Sequence, residues 1–99
     1  MAAISQAIVH QNNLFIAVGF NVQVYSLNDS ERLTYLAYFP FPYPIYEFKS
    51  TPTGLLILSG RSAYLLSGGP SVTTMYITLL TLGIDSLDEL TPEFTVLKK

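Results

Sequence analysis

Apolar positions along the chain fall in short runs that are closed off every few residues by Asn, Gly, Ser or Pro. Asn12-Asn13-Leu14-Phe15-Ile16-Ala17-Val18-Gly19 and Thr53-Gly54-Leu55-Leu56-Ile57-Leu58-Ser59-Gly60 each read as a turn, an apolar run and a glycine. Val22 to Tyr25 and Ala63 to Leu66 follow as second short runs, then loop residues, Asn28-Asp29-Ser30 in one case and Gly68-Gly69-Pro70-Ser71 in the other. A further run comes after each loop, Leu33 to Phe39 and Met75 to Leu82, and one precedes each set, Ile4 to His10 and Ile45 to Ser50. Runs of this length, rich in β-branched and aromatic residues and bounded by turn formers, predict strands. The expected fold is all-β.

The runs come in two sets. A shift of 41 positions lays Leu14 on Leu55, Ile16 on Ile57, Gly19 on Gly60, Ser26 on Ser67, Ser30 on Ser71 and Tyr35 on Tyr76. The chain therefore reads as a single domain, 1–99, built from two four-stranded antiparallel units of about 41 residues, near 4–44 and 45–84, with a tail at 85–99. Pro40-Phe41-Pro42-Tyr43-Pro44 lacks the amide donors a sheet interior needs and is expected to be a stiff connector. In the tail, Ser86-Leu87-Asp88-Glu89 matches a capping box, so one short helical turn is expected before Pro92, and Phe94 to Leu97 is a candidate last strand. Thr91-Pro92 echoes Thr51-Pro52, 40 positions earlier.

Repeats of about 40 to 45 residues with four short strands are the signature of propeller blades. The succession Leu14 to Gly19, a turn, then Val22 to Leu27 resembles a blade of the WD-repeat kind, although the Gly-His and Trp-Asp pairs of that family are missing. Leu56 to Pro70 resembles blades in bacteriophage tail and virion proteins, which implies a virion, or the cytoplasm of a host, as the setting. Two blades do not close a ring, so the resemblance implies self-association; three chains would make a six-bladed trimer, and small sugar-binding lectins assemble from two-blade chains in this way. The alternative is a compact β-sandwich or barrel of the same eight strands.

Composition sharpens this picture. Apolar residues make up 49% of the chain and charged residues 12%, against a usual charged share of about 25%. Some Tyr, Phe and Leu must therefore lie outside, where contiguous apolar patches mark interfaces. The formal net charge is −2 and the five Lys and Arg are scattered, which argues against a direct nucleic-acid partner. There is no Cys, hence no disulfide or thiolate chemistry, and the compartment stays open. Met1 to Gln6 lacks the basic region and apolar core of a signal peptide, and no apolar stretch approaches the ~20 residues of a membrane helix.

Candidate chemistry is sparse. His10 is the only His, too few for an ordinary zinc site, and reads as a structural residue at a strand edge. Asp85, Asp88, Glu89 and Glu93 sit around a helix start, where carboxylates cap. Asn28-Asp29-Ser30-Glu31 lacks calcium-loop spacing and reads as a polar turn, and its glycosylation pattern is incidental. The glycine turns Ser59 to Ser62 and Ser67 to Ser71 lack the following helix and Lys of a phosphate loop. No catalytic, cofactor-binding or metal residue is predicted, and the chain is not expected to be an enzyme.

Seven of the thirteen aromatic residues fall between Tyr35 and Phe48. Tyr joins a large apolar area to a polar tip, which suits binding surfaces, and Tyr38, Phe41, Tyr43 and Tyr46 are the candidate interface residues. The expectation is a non-catalytic structural or interaction module that self-assembles, as a component of a virion, phage tail or similar assembly. The alternative is a lectin that stacks sugar rings on these aromatics and holds hydroxyl groups with Asn, Asp and Arg61.

Overall fold

The computed structural model of the chain describes residues 3–28, 32–69 and 71–97. Asp29, Ser30 and Glu31, the part of the polar turn weighed above for calcium and glycosylation, lie outside the described residues, as does Pro70. Eight strands appear in two groups: β1 (Ile4–His10), β2 (Asn13–Val18), β3 (Asn21–Ser26) and β4 (Thr34–Pro40), then β5 (Ile45–Ser50), β6 (Leu55–Ser59), β7 (Ser62–Ser67) and β8 (Tyr76–Leu82). Each group forms one four-stranded antiparallel sheet in chain order, β1-β2-β3-β4 (sheet 1) and β5-β6-β7-β8 (sheet 2). The two repeat units correspond to the two sheets, and among the described residues no closed barrel forms.

Local chemistry sets these hairpins. Gln11 and Asn12 both take positive φ, 51° and 64°, as the two central residues of a tight β1–β2 turn. Gly19 and Gly60 each stand at φ 60° at the start of the β2–β3 and β6–β7 turns. A side chain at Gly60 would meet Tyr43 Cβ and Cγ at 2.9 Å, so glycine is required there on two counts. The repeat extends to irregularities of pairing: the first strand pair of each sheet shifts register at Ile4/Gln6 and at Ile45/Glu47.

Pro40 is not part of a free connector, as the proline pattern suggested, but ends β4 opposite Asn21. β4 is an edge strand, where a missing amide donor leaves no ladder bond unmade. The rest of the connector runs outside the sheets between two hairpins. Phe41 N donates to Phe20 O at 2.9 Å, Ile45 N to Gly19 O at 3.3 Å, and Gly60 N to Pro44 O at 2.9 Å. Ser59 Oγ both donates to Tyr43 O and accepts from Tyr43 N.

Strand alternation gives each sheet two faces. Phe15, Ala17, Val22 and Val24 share one face of sheet 1, and all four are fully buried against Ile45, Leu55, Ile57 and Leu66 of sheet 2, with Phe41 and Val72 closing the edges. Under the shift of 41 positions those four residues map to Leu56, Leu58, Ala63 and Leu65, which form the other face of sheet 2. The sheets therefore stack head to tail, with the Phe15 face of sheet 1 on the Leu55 face of sheet 2.

The tail covers the Leu56 face. Ile84, Leu87 and Leu90 are buried there, with Phe94 and Leu80 packed alongside. The expected helical turn is a 3-10 turn at Leu87–Glu89, whose Ser86 and Glu89 form the capping box. A second 3-10 turn, Val72–Thr74, was not expected from the sequence; its start is tied by Ser71 N donating to Thr74 Oγ1 and Thr74 Oγ1 donating back to Ser71 O. The candidate strand at Phe94 to Leu97 shrinks to one bridge, Leu90 opposite Val96. Thr91 Oγ1 closes that turn with Thr95, much as Thr51 Oγ1 closes the β5–β6 turn with Gly54, so the echo between the two Thr-Pro pairs has a structural counterpart.

Candidate interaction surface

Three of the four sheet faces are covered within the chain: both faces of the stacked pair and the Leu56 face under the tail. The fourth, the Leu14 face of sheet 1, has no cover among the described residues. β2 contributes Leu14, Ile16 and Val18 to it, and β3 contributes Gln23 and Tyr25, all five half-buried, with Ile16 and Gln23 each between fully buried residues of the opposite face. β1 places Val9 opposite Leu14 and Ile4 opposite Val18, and β4 places Tyr38 opposite Gln23 and Tyr35 opposite Tyr25. Ile4, Val9, Tyr35 and Tyr38 are all more than half exposed. Tyr25 donates its hydroxyl proton to Gln23 Oε1 at 2.9 Å and meets the Tyr35 ring edge-on, with centroids 5.7 Å apart. No charged side chain belongs to this face among the described strand residues.

The four candidate interface residues do not converge. Tyr38 lies on the Leu14 face. Phe41 is 6% exposed, sits between the sheets and meets the Tyr64 ring edge-on, so it belongs to the core and offers no surface. Tyr43 is exposed on the connector above Gly60. Tyr46 is exposed at the register shift of β5. What the aromatic count missed was Leu14, Ile16 and Val18, whose alternation with Phe15 and Ala17 already put an apolar residue on both sides of β2. A run apolar on both faces needs cover on both, and that signal was legible in the sequence.

Several polar side chains make contacts that hold the fold. The carboxylate of Glu47 accepts from Ser86 Oγ at 3.2 Å and from Leu87 N at 3.1 Å, fixing the start of the 3-10 turn to β5. Arg61 donates to Asp85 Oδ1 at 2.9 Å and to Gly83 O at 3.2 Å. His10 ends the edge strand β1 and is 3% exposed, with Nδ1 2.6 Å from Ser50 Oγ and its ring edge-on to Phe15. Its Nε2 is buried without a partner, and desolvation lowers its pKa below the ordinary 6.5.

Two recesses accompany these contacts. A groove of about 460 Å³ runs between the tail and the β5–β6 turn, floored by Leu56, Leu87, Leu90 and Phe94. A shallower recess of about 390 Å³ lies where Tyr43, Gly60, Arg61, Ser62 and Gly83 meet. Among the described residues, no three His, Asp or Glu side chains converge on a metal site, and no helix is long and apolar enough to cross a membrane. Comparison with known proteins finds no matching family model, no matching curated protein and no matching solved structure.

Proposed function

We propose that the protein is a non-catalytic structural module that works by self-association through the Leu14 face, as one part of a larger assembly such as the virion setting that its blade-like segments suggest. One observation carries the reading. Leu14 and Ile16 occupy the repeat positions of Leu55 and Ile57, and Leu55 and Ile57 are fully buried under a neighbouring sheet. The same kind of surface thus lies covered in sheet 2 and bare in sheet 1. Covering it is favourable by about 25 cal/mol per Å² of apolar area removed from water. Head-to-tail stacking of the two units supports the likeness to propeller blades, and the use of Glu47, Arg61 and His10 as fold contacts supports a role without catalysis.

The test is native mass by light scattering over a concentration series, for the wild type and for Ile16→Glu. The wild type should rise above single-chain mass with concentration. Ile16→Glu should stay at single-chain mass with an unchanged far-UV spectrum. A wild type that keeps single-chain mass throughout overturns the proposal.

A second reading, the lectin, rests on the recess that brings Tyr43 beside Arg61. An aromatic platform next to a guanidinium suits a sugar ring and its hydroxyl groups. Glycan binding that is lost in Tyr43→Ala would support it, and an empty glycan array at high protein concentration would remove it.

A further inference from the structure

We propose that the Leu14 face is covered by the Leu14 face of a second copy, the two chains being related by a two-fold axis through the middle of sheet 1. This rests on the self-association reading above and names its partner and geometry.

In the stacked pair the Leu55 face of sheet 2 is met by the Phe15 face of sheet 1. A head-to-tail continuation would therefore bring to the bare Leu14 face of one chain a surface of the Phe15 kind from the next. Each chain has two such surfaces, and neither is free. One is buried between the sheets. The other, the Leu56 face, lies under Ile84, Leu87 and Leu90, each 8% exposed or less. The tail over it is pinned by Glu47 to Ser86 and Leu87, and by Arg61 to Asp85. The bare face that remains for a second copy to present is its own Leu14 face.

The chemistry of that face fits pairing with itself. Two copies of a charged surface would repel; this one carries Ile4, Val9, Leu14, Ile16, Val18 and three tyrosines, with Gln23 already bonded to Tyr25. A contact in which each copy contributes the same patch closes after two chains, whereas the head-to-tail contact inside the chain would go on adding chains into a ring or a filament and needs a free Phe15-type face in every copy. Four strands about 4.8 Å apart and six residues long give a face of roughly 400 Å² in projection. That places the pair among small interfaces, so it should form reversibly and at high concentration.

The chain has no cysteine, which makes a single introduced thiol an unambiguous probe. Ile16 and Gln23 are cross-strand partners on the two inner strands, so they lie near the middle of the face and next to the proposed axis. Gln23→Cys, treated at high concentration with a short bis-maleimide, should give a covalent dimer. Val96→Cys, in the exposed part of the tail, should give none, and a mixture of the two variants should add no mixed product. A mixed covalent dimer, formed between Gln23→Cys and Val96→Cys chains and absent from either variant alone, would overturn the two-fold pairing in favour of head-to-tail contact, while leaving self-association standing. Association by mass with neither product would also overturn pairing on this face. Single-chain mass with no covalent product would overturn both proposals.

Discussion

Within the aromatic stretch, the hydroxyl group decides which rings are buried. Phe41 is buried and Phe39 and Phe48 pack against the same core, whereas Tyr35, Tyr38, Tyr43 and Tyr46 are all more than half exposed. A phenol buried without a partner is costly, so where both ring types compete for one core the Phe goes inside. Counting both types together could not separate Phe41 from its neighbours, because connector position alone does not show which way a ring turns. Phe41→Ala should cost about 3–4 kcal/mol in denaturant unfolding, while Tyr38→Ser should change stability by less than about 0.5 kcal/mol and act instead on native mass. Equal destabilisation by the two substitutions would contradict this division. His10 makes a second prediction at the same scale. Its folded pKa lies below 6.5, so above pH 6.5 the ring is neutral in both states and its contribution is fully present. As pH falls through 6.5 the unfolded chain takes the proton first, and stability is lost until the folded value is passed. The unfolding midpoint should decline on acidification in that window, and His10→Gln should flatten the decline; an unaltered slope in the variant would assign it to other groups.

At the scale of elements, strand positions followed closely from the pattern, because each apolar run is closed by a turn residue with a local reason to turn. β1 and β5 have the bounds read from the runs, and the capping box at Ser86 forms as spaced. The tail's anchorage was not legible. Glu47 and Leu87 are 40 positions apart, and a hydrogen bond across that distance leaves no periodic trace in either segment. The short final strand failed for a related reason: Phe94 packs onto sheet 2 with φ at 65°, a conformation that interrupts a strand. Glu47→Ala should therefore release the tail more than the sheets. With about 1.5–3 kcal/mol for a hydrogen bond to a charged group, amide exchange at Leu90, whose N–H bonds Leu87 O, should speed up by roughly tenfold or more, while amides of β6 keep their rates. Equal acceleration in both would mean that tail and sheet open together.

For the whole molecule the decisive property is direction. Head-to-tail stacking gives the pair of sheets two unlike ends: a bare Leu14 face and a Leu56 face. A stack of like units with complementary ends goes on adding units, into a filament or a closed ring, unless one end is blocked. The tail does the blocking, with Leu87 and Leu90 taking the place that a further sheet would fill. Its removal should therefore change the kind of association and not only its strength. A chain ended after Ile84 would bare Leu56, Leu58 and Leu65, the repeat counterparts of the residues that bury sheet 1 against sheet 2. Such a surface accepts the Leu14 face of another copy. The truncated protein should then form particles whose mass grows with concentration, with strand content retained by circular dichroism, whereas the pairing proposed for the untruncated chain ends at two copies. Ile16→Glu placed in the truncated chain should end that growth, because the polymer needs the Leu14 face in every copy. Growth that survives Ile16→Glu would show that a surface other than the Leu14 face carries the polymer, and an arrest at pairs in the truncated Ile16→Glu chain would show that the bared Leu56 face associates with itself; the first result would end the directional account of the stack.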